Sequence, residues 1–270
     1  MAITTLAGAI AGMKMPCDFT KGATLTGVAG RPQSLFYLAG NPPAAAAPSP
    51  GIGGAVLTTY AGQIPWINPA SGNSYLARLQ AIAGAGATGS LMLCDRLWHN
   101  SGITITSTGE QTFTGAAQIP ARDENGSNAG VGVYGAIEVS GATGAGTPTL
   151  TLKYTNSAGT ADKTETNINA TVASSAIGAF YPIALAAGDD GIQKAQSLTL
   201  SATWTSGTIH AVLYRVLARL ELPMPNLTYA LDALTGGFPR LYDNTVPFLL
   251  FVPSGTSYTQ IAGQMIVSQG

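Results

Sequence analysis

Between Gly191 and Leu222 the chain reads GIQKAQSLTLSATWTSGTIHAVLYRVLARLEL. In its first half Leu198, Leu200, Ala202 and Trp204 fall on one side of an extended backbone, and Thr199, Ser201, Thr203 and Thr205 fall on the other. That period of two is the signature of a half-buried strand. Ser206-Gly207 supplies a turn, so the pattern predicts a hairpin. The second run, Thr208 to Arg219, is apolar on both sides. Ile209, Ala211, Leu213 and Leu217 lie on one, and Val212, Tyr214, Val216 and Ala218 on the other. A strand apolar on both faces needs cover on both, from its own chain or from a second copy. Val212, Val216 and Leu220 also have the i, i+4 spacing of a helix; the turn ahead of them and the valines favour the strand.

The rest of the composition fits a body of such strands with few charges outside it. Only 9% of residues are charged, where roughly 25% is typical of a soluble protein. Mean hydropathy is +0.23, yet no run approaches the ~18 unbroken apolar residues of a membrane helix. A surface so poor in charge suits a protein whose exterior is used up in contacts with neighbours. The net charge of −1 gives no electrostatic case for binding nucleic acid or a membrane. Cys17 and Cys94 read as two isolated thiols rather than a disulfide, and two cysteines so far apart make no zinc site. The N-terminus has no basic residue ahead of its apolar stretch and is not read as a secretory signal.

Along the chain, residues 1–30 are small, Gly-rich and aperiodic, and are expected to form an extended arm. Ser34 to Ala39 and Ala55 to Tyr60 are expected as short strands. Between them lies a Pro-rich segment, 41–54, in which Pro42, Pro43, Pro48 and Pro50 exclude helix and central strand. Tyr75 to Ala83 reads as a strand or as a helix; Leu91 to Trp98 answers it as a partner, which favours a wide hairpin. Short strands follow at Ile103–Thr106, Gln111–Thr114, Val131–Val139 and Leu150–Thr155. Asp162 to Ala170 reads as a solvated edge strand and Phe180 to Leu185 as a strand interrupted by Pro182. After the central hairpin, Val246–Val252 and Ile261–Val267 are expected to close the fold. Strands at this spacing, with Gly, Ser and Asn turns, predict an all-β protein with a β-sandwich or jelly-roll body, an N-terminal arm and a Pro-rich segment. The expected divisions are 1–90, an arm with a small irregular β region; 91–222, the main sandwich; and 223–270, a C-terminal extension.

Residues that carry chemistry are few. Cys94, Asp95 and His99 in CDRLWHNSG suggest nucleophilic chemistry, but on a regular strand Cys94 and His99 point to opposite faces. His210, beside Val212 and Tyr214, reads as a packed or interface histidine. Asp123-Glu124-Asn125-Gly126-Ser127-Asn128 places oxygens at alternate positions as calcium loops do, without the distal Glu of an EF-hand, and reads as a polar loop. Asp189-Asp190-Gly191 reads as a turn rather than a glycosidase pair. No catalytic, cofactor-binding or metal-ligating set is assigned, and no enzyme activity is expected.

Three blocks resemble structural proteins of tailed-bacteriophage virions, in particular the β-rich proteins that decorate or cement the capsid shell. They are LMLCDRLWHNSGI at Leu91 to Ile103, the Gly191 to Leu220 stretch, and FPRLYDNTVPFLLFVPSG at Phe238 to Gly255. The resemblance implies a sandwich or jelly-roll body, homo-oligomerisation (often trimers), and docking on the outside of the capsid through the major capsid protein. Two other readings share the composition. One is a tail, collar or fibre component of such a particle. The other is a carbohydrate-binding sandwich, which requires Trp66, Trp98 or Trp204 to be exposed for stacking on sugar.

Overall fold

A computed structural model describes residues 3–86 and 88–270, leaving out the side chains at 23–26, 257 and 258. The fold is all-β, as the period-two stretches predict, and is made of three antiparallel sheets. With strands numbered along the chain, the central sheet contains β2 (Gln33–Ser34), β4 (Ala55–Val56), β6 (Gly89–His99), β8 (Val133–Gly141), β11 (Phe180–Pro182), β13 (Thr208–Leu222) and β16 (Pro247–Pro253). Its order is β11-β8-β13-β6-β16-β2, with β4 also on β6. The second sheet contains β7 (Gln111–Thr112), β9 (Leu150–Asn156), β10 (Lys163–Thr166) and β12 (Ile192–Leu200), in the order β10-β9-β12-β7. The third contains β1 (Cys17–Thr26), β3 (Gly40–Asn41), β5 (Ser74–Ala83), β14 (Thr228–Asp232), β15 (Arg240–Leu241) and β17 (Ser257–Gln269). Its order is β14-β5-β17-β1-β3, with β15 on β5. Two short helices, α1 (Leu6–Ala11) and α2 (Ala233–Gly236), lie against the third sheet.

The doubly apolar strand β13 explains how these sheets stack. Ile209, Ala211 and Leu213, from its first half, share a core with Leu152 and Leu200 of the second sheet. Leu217, Leu220 and Leu222, from its second half, share another core with Leu79 and Met265 of the third sheet. On its opposite face Val212 and Tyr214 pack with Phe36, Phe180 and Phe248. One face of the central sheet thus carries the second and third sheets side by side, and the other carries residues of the segment from Phe36 to Tyr60. Both covers come from this chain. Bulges let β13 and β6 serve two partners: the register skips Leu97 on β6 and Leu217 on β13. An extra residue on one strand bends it and resets which face each later side chain takes.

Several sequence expectations need correction. The two halves of the predicted hairpin are strands, but β12 and β13 belong to different sheets, so Ser206-Gly207 turns a corner between layers. The same holds for Tyr75–Ala83 and Leu91–Trp98, which form β5 and β6 in separate sheets. Alternation shows that a strand has a buried face; it does not say which strand lies beside it. The expected N-terminal arm is instead helix α1 and strand β1, the latter held between β17 and β3; residues 1 and 2 lie outside the described residues. Ser34 to Ala39 contributes strand only at Ser34, Ala55 to Tyr60 only at Ala55–Val56, and Ile103–Thr106 forms none, although Leu35, Phe36, Ile103 and Ile105 are all buried. The divisions at 90/91 and 222/223 do not follow the sheets, since the central sheet draws strands from both sides of each boundary.

Candidate functional site

The chemistry-bearing residues fall into three clusters, two in the interior and one at the surface. The first lies on the face of the central sheet that meets Phe36. The bulge at Leu97 returns His99 to the side of Arg96 and Cys94, so the expectation of opposite faces for Cys94 and His99 fails. Arg96 is fully buried, pairs with the buried Glu138 at 2.6 Å, and lies over the rings of Phe36 and Phe248. Its Nε donates to His99 Nδ1 at 3.1 Å. Tyr37 donates to the same Glu138 oxygen at 2.8 Å, and Tyr60 meets the His99 ring edge-on. A nitrogen that accepts from a guanidinium carries no proton of its own, and burial together with Arg96 pulls the His99 pKa down to about 2. His210 donates from Nδ1 to the Asn100 carbonyl at 2.8 Å, and its Nε2 shares a hydrogen bond with the Ser140 hydroxyl. Burial lowers its pKa. Burial holds the Cys94 thiol well above its ordinary range, so it is an unreactive core group rather than a nucleophile.

The second cluster is a charged seam between the two cores on the other face. Asp95 lies opposite Arg215 in register. It accepts from Arg122 Nε at 3.0 Å and from the Val246 amide at 2.8 Å. Arg215 donates to the carbonyls of Asp123 and Arg240. Asp123, suspected as a cation ligand, spends both oxygens within its own loop. Oδ1 accepts from the amides of Asn125 and Ser127; Oδ2 accepts from the Ser127 hydroxyl and the amides of Gly130 and Val131. Burial opposes its charge, but these hydrogen bonds win and hold its pKa below the ordinary value. The loop is therefore an anchored plug over the seam, and the sequence signal for it, Asp followed by small polar residues and glycines, is that of a turn.

The third cluster settles Asp189 and Asp190 as a turn. Asp189 accepts from Asn156 at 2.7 Å and Tyr154 at 2.8 Å, while Asp190 is held by the Ser157 hydroxyl. The two carboxylates turn to separate partners rather than across a shared substrate. Of the tryptophans proposed as sugar platforms, Trp98 and Trp204 are fully buried, and Trp66 is half-buried with its Nε1 bonded to the Thr245 carbonyl at 2.8 Å.

An exposed apolar surface surrounds the first helix. Helix α1 has the sequence LAGAIA, is capped by Thr5, and buries none of its residues. Leu6 and Ile10, one turn apart, are 73% and 60% exposed, and Met13 continues the stripe at 47%. A helix apolar all round is ordinarily enclosed. Here α1 is fixed to the outer side of the third sheet at only one line: Ser268 Oγ donates to the Ala9 carbonyl at 2.7 Å, and the Gln269 amide donates to Gly12. Gly12 is required there, since a Cβ would stand 2.4 Å from the Gln269 carbonyl oxygen. Between α1 and α2 opens a recess of about 630 Å³, walled by Leu6, Met13, Tyr75, Ala77, Leu234 and Phe238. Leu234 on its far wall is 90% exposed. Beyond the recess on the third sheet, exposed Arg78 lies opposite Asp232 and Ile266, and Gln264 lies between Gln80 and Asp18. Sequence reading missed this surface because α1 is too short to show helical periodicity.

No family model matches the chain, and no curated protein matches it. Among solved structures it is similar to the VP2 subviral particle of infectious bursal disease virus, at 9% identity over 96% of this chain and 82% of that one, with a TM-score of 0.22. A second likeness, to the Gx strain of the same virus, has 9% identity, covers 95% and 81% of the two chains, and has a TM-score of 0.20. Likenesses at these scores carry no weight for fold or function.

Proposed function

We propose that the chain is a structural protein of a virion that binds the outside of a tailed-bacteriophage capsid as a homo-oligomer and cements the junctions between major capsid protein subunits. The observation that supports this most is the apolar surface of α1 and its recess, where Leu6, Ile10, Met13 and Leu234 stand exposed on a body whose cores are already filled. Such a surface is built for burial against protein. The phage resemblance supplies the setting, and its three blocks contribute β6, β13 and β16, which lie side by side at the middle of the central sheet. The role is mechanical. Each contact adds interface that has to separate before the shell can expand, with about 25 cal/mol per Å² of apolar area as an upper guide. The chemistry-bearing side chains act within the body: they join layers and plug the seam. The test is to purify particles that encode this protein and label their exterior. Recovery of the protein on the head surface, and rupture of depleted heads at lower internal pressure, is the expected result. Particles that lack the protein sink the reading; label at the tail or neck moves it to that assembly.

A further inference from the structure

His99 is held in a state that acid opposes. Arg96 Nε donates to its Nδ1 at 3.1 Å, and a guanidinium keeps its protons, so the single ring proton sits on Nε2. A second proton would go on Nδ1 and set N–H against N–H, beside a full positive charge. Arg96 is fixed in place, paired with Glu138 at 2.6 Å and lying over Phe36 and Phe248. The ring must therefore stay neutral or move away from Arg96. We propose that the segment 42–60 is an acid-released cover: protonation of His99 drives Tyr60 off the ring and lifts the segment away while the three sheets stay folded.

Tyr60 is the neighbour of His99 that can give way. Its ring meets the imidazole edge-on, with centroids 4.8 Å apart. The titratable neighbours on this face otherwise belong to strands paired on both sides: Arg96 and Cys94 to β6, His210 and Tyr214 to β13, Glu138 to β8. Between 42 and 60 only Ala55 and Val56 are paired strand, and only Pro42, Pro48 and Leu57 are buried. Ala55 lies opposite His99 itself. The ties at Gly51, Ile52 and Leu57 run to Ser101, Asn100 and Leu97 and do not titrate. Burial raises Cys94, Tyr37, Tyr60 and Tyr214, which therefore stay neutral in acid. Burial opposes the charge of Glu138, but Arg96 wins and keeps its pKa below the ordinary value. Lys21 holds Pro42 and Pro43, and burial lowers its pKa to about 8, so it gains charge on acidification and tightens that end. His210 bonds to Asn100 and Ser140, both outside the segment. His99 is thus the group whose titration acts on the cover. Tyr60 also stacks on Phe36, so its release uncovers the apolar face around the Arg96–Glu138 pair.

The test is amide hydrogen exchange of the full chain at pH 7.5 and pH 5, read by NMR as protection factors so that the intrinsic pH dependence divides out. The reporters are Ala45 and Leu57, whose amides donate to the Phe36 and Leu97 carbonyls. Strand β13 supplies the reference, set by global unfolding. With the His99 pKa at about 2 closed and 6.5 open, protection at Ala45 and Leu57 is expected to fall about 30-fold between the two pH values. It is expected to lie below that of β13 at both. His99→Gln, which still accepts from Arg96, is expected to remove most of the fall, and His210→Gln to leave it. Protection equal to that of β13 overturns the proposal, since the cover then opens only when the whole chain does. A local opening that does not change with pH also overturns it. So does a fall that survives His99→Gln, or one that disappears with His210→Gln alone. The wild-type comparison decides by itself if a variant fails to fold. None of these outcomes bears on the virion reading, which particle labelling tests separately.

Discussion

At the residue scale, buried polar groups decide how the protein responds to acid and to mutation. A histidine whose folded pKa lies below its unfolded value binds fewer protons folded than unfolded. Its stabilising effect is complete above about pH 6.5 and is lost as pH falls. With the folded His99 held near 2, the unfolded chain alone takes the proton at pH 5, which costs about 2 kcal/mol from this residue. His210 adds a loss of the same sign. Urea midpoints at pH 7.5 and pH 5 are expected to fall accordingly, and His99→Gln is expected to flatten the difference. Arg96 and Glu138 give a second contrast. Glu138→Ala strands a buried guanidinium and is expected to cost about 3–5 kcal/mol, whereas Arg96→Met with Glu138→Leu together costs far less. If the double variant is no milder than the single, the pair holds more than its own charges. Asp123→Ala frees five donors in one loop and is expected to cost about 3 kcal/mol by the same measurement.

At the scale of elements, the Pro-rich segment is tied at its start by one inward lysine and further along by Tyr60, Asn100 and Ser101. Lys21 is a strand residue that turns inward, and its ammonium donates to the carbonyls of Leu38, Pro42 and Pro43. Lys21→Met keeps the bulk and removes the donors, so limited proteolysis is expected to cut within 41–54 sooner, with little change in the global midpoint. Unaltered cleavage would mean that the packing of Phe36 and Tyr60 holds the segment by itself. The same lysine shows why β1 was hard to read. Its inward positions include Phe19 and Lys21, with Cys17 half-buried, so no apolar alternation marks it. By contrast β9, β12, β13 and β17 were legible, since each carries an inward apolar row or two apolar faces. Their partners were not legible, because pairing follows from which layers close over which cores. The bulge at Leu97 was equally hidden: nothing in CDRLWHNSG announces the extra residue that turns His99 towards Arg96. Of the candidate site residues, His210 is packed in the interior and Asp189 and Asp190 are held by separate neighbours, while the surface of α1 was visible only once the strand beneath it was placed.

At the scale of the molecule, β13 runs through both cores, so the charged seam between them does not separate two folding units. Leu152→Ala, in the core of the second sheet, and Leu79→Ala, in that of the third, are each expected to cost about 2–5 kcal/mol. Both are expected to lower one shared unfolding transition, seen alike by tryptophan fluorescence and far-ultraviolet dichroism. A biphasic curve in which each variant shifts a different phase would show that the seam is a boundary.

The third sheet pairs the chain's early and late segments: β1 lies against β17, from Cys17 opposite Met265 to Thr26 opposite Ser257. Translation delivers those partners far apart in time. At about 5–20 residues per second, the interval between Thr26 and Ser257 is roughly ten to fifty seconds. Once it has cleared the exit tunnel, Cys17–Thr26 waits without β17, and β6 likewise waits for β13 and β16. Topologies dominated by such distant pairings fold slowly, in milliseconds to seconds once complete. A nascent chain stalled before Ser257 therefore offers an unpaired strand to chaperones, and the third sheet can close only after β17 has cleared the exit tunnel.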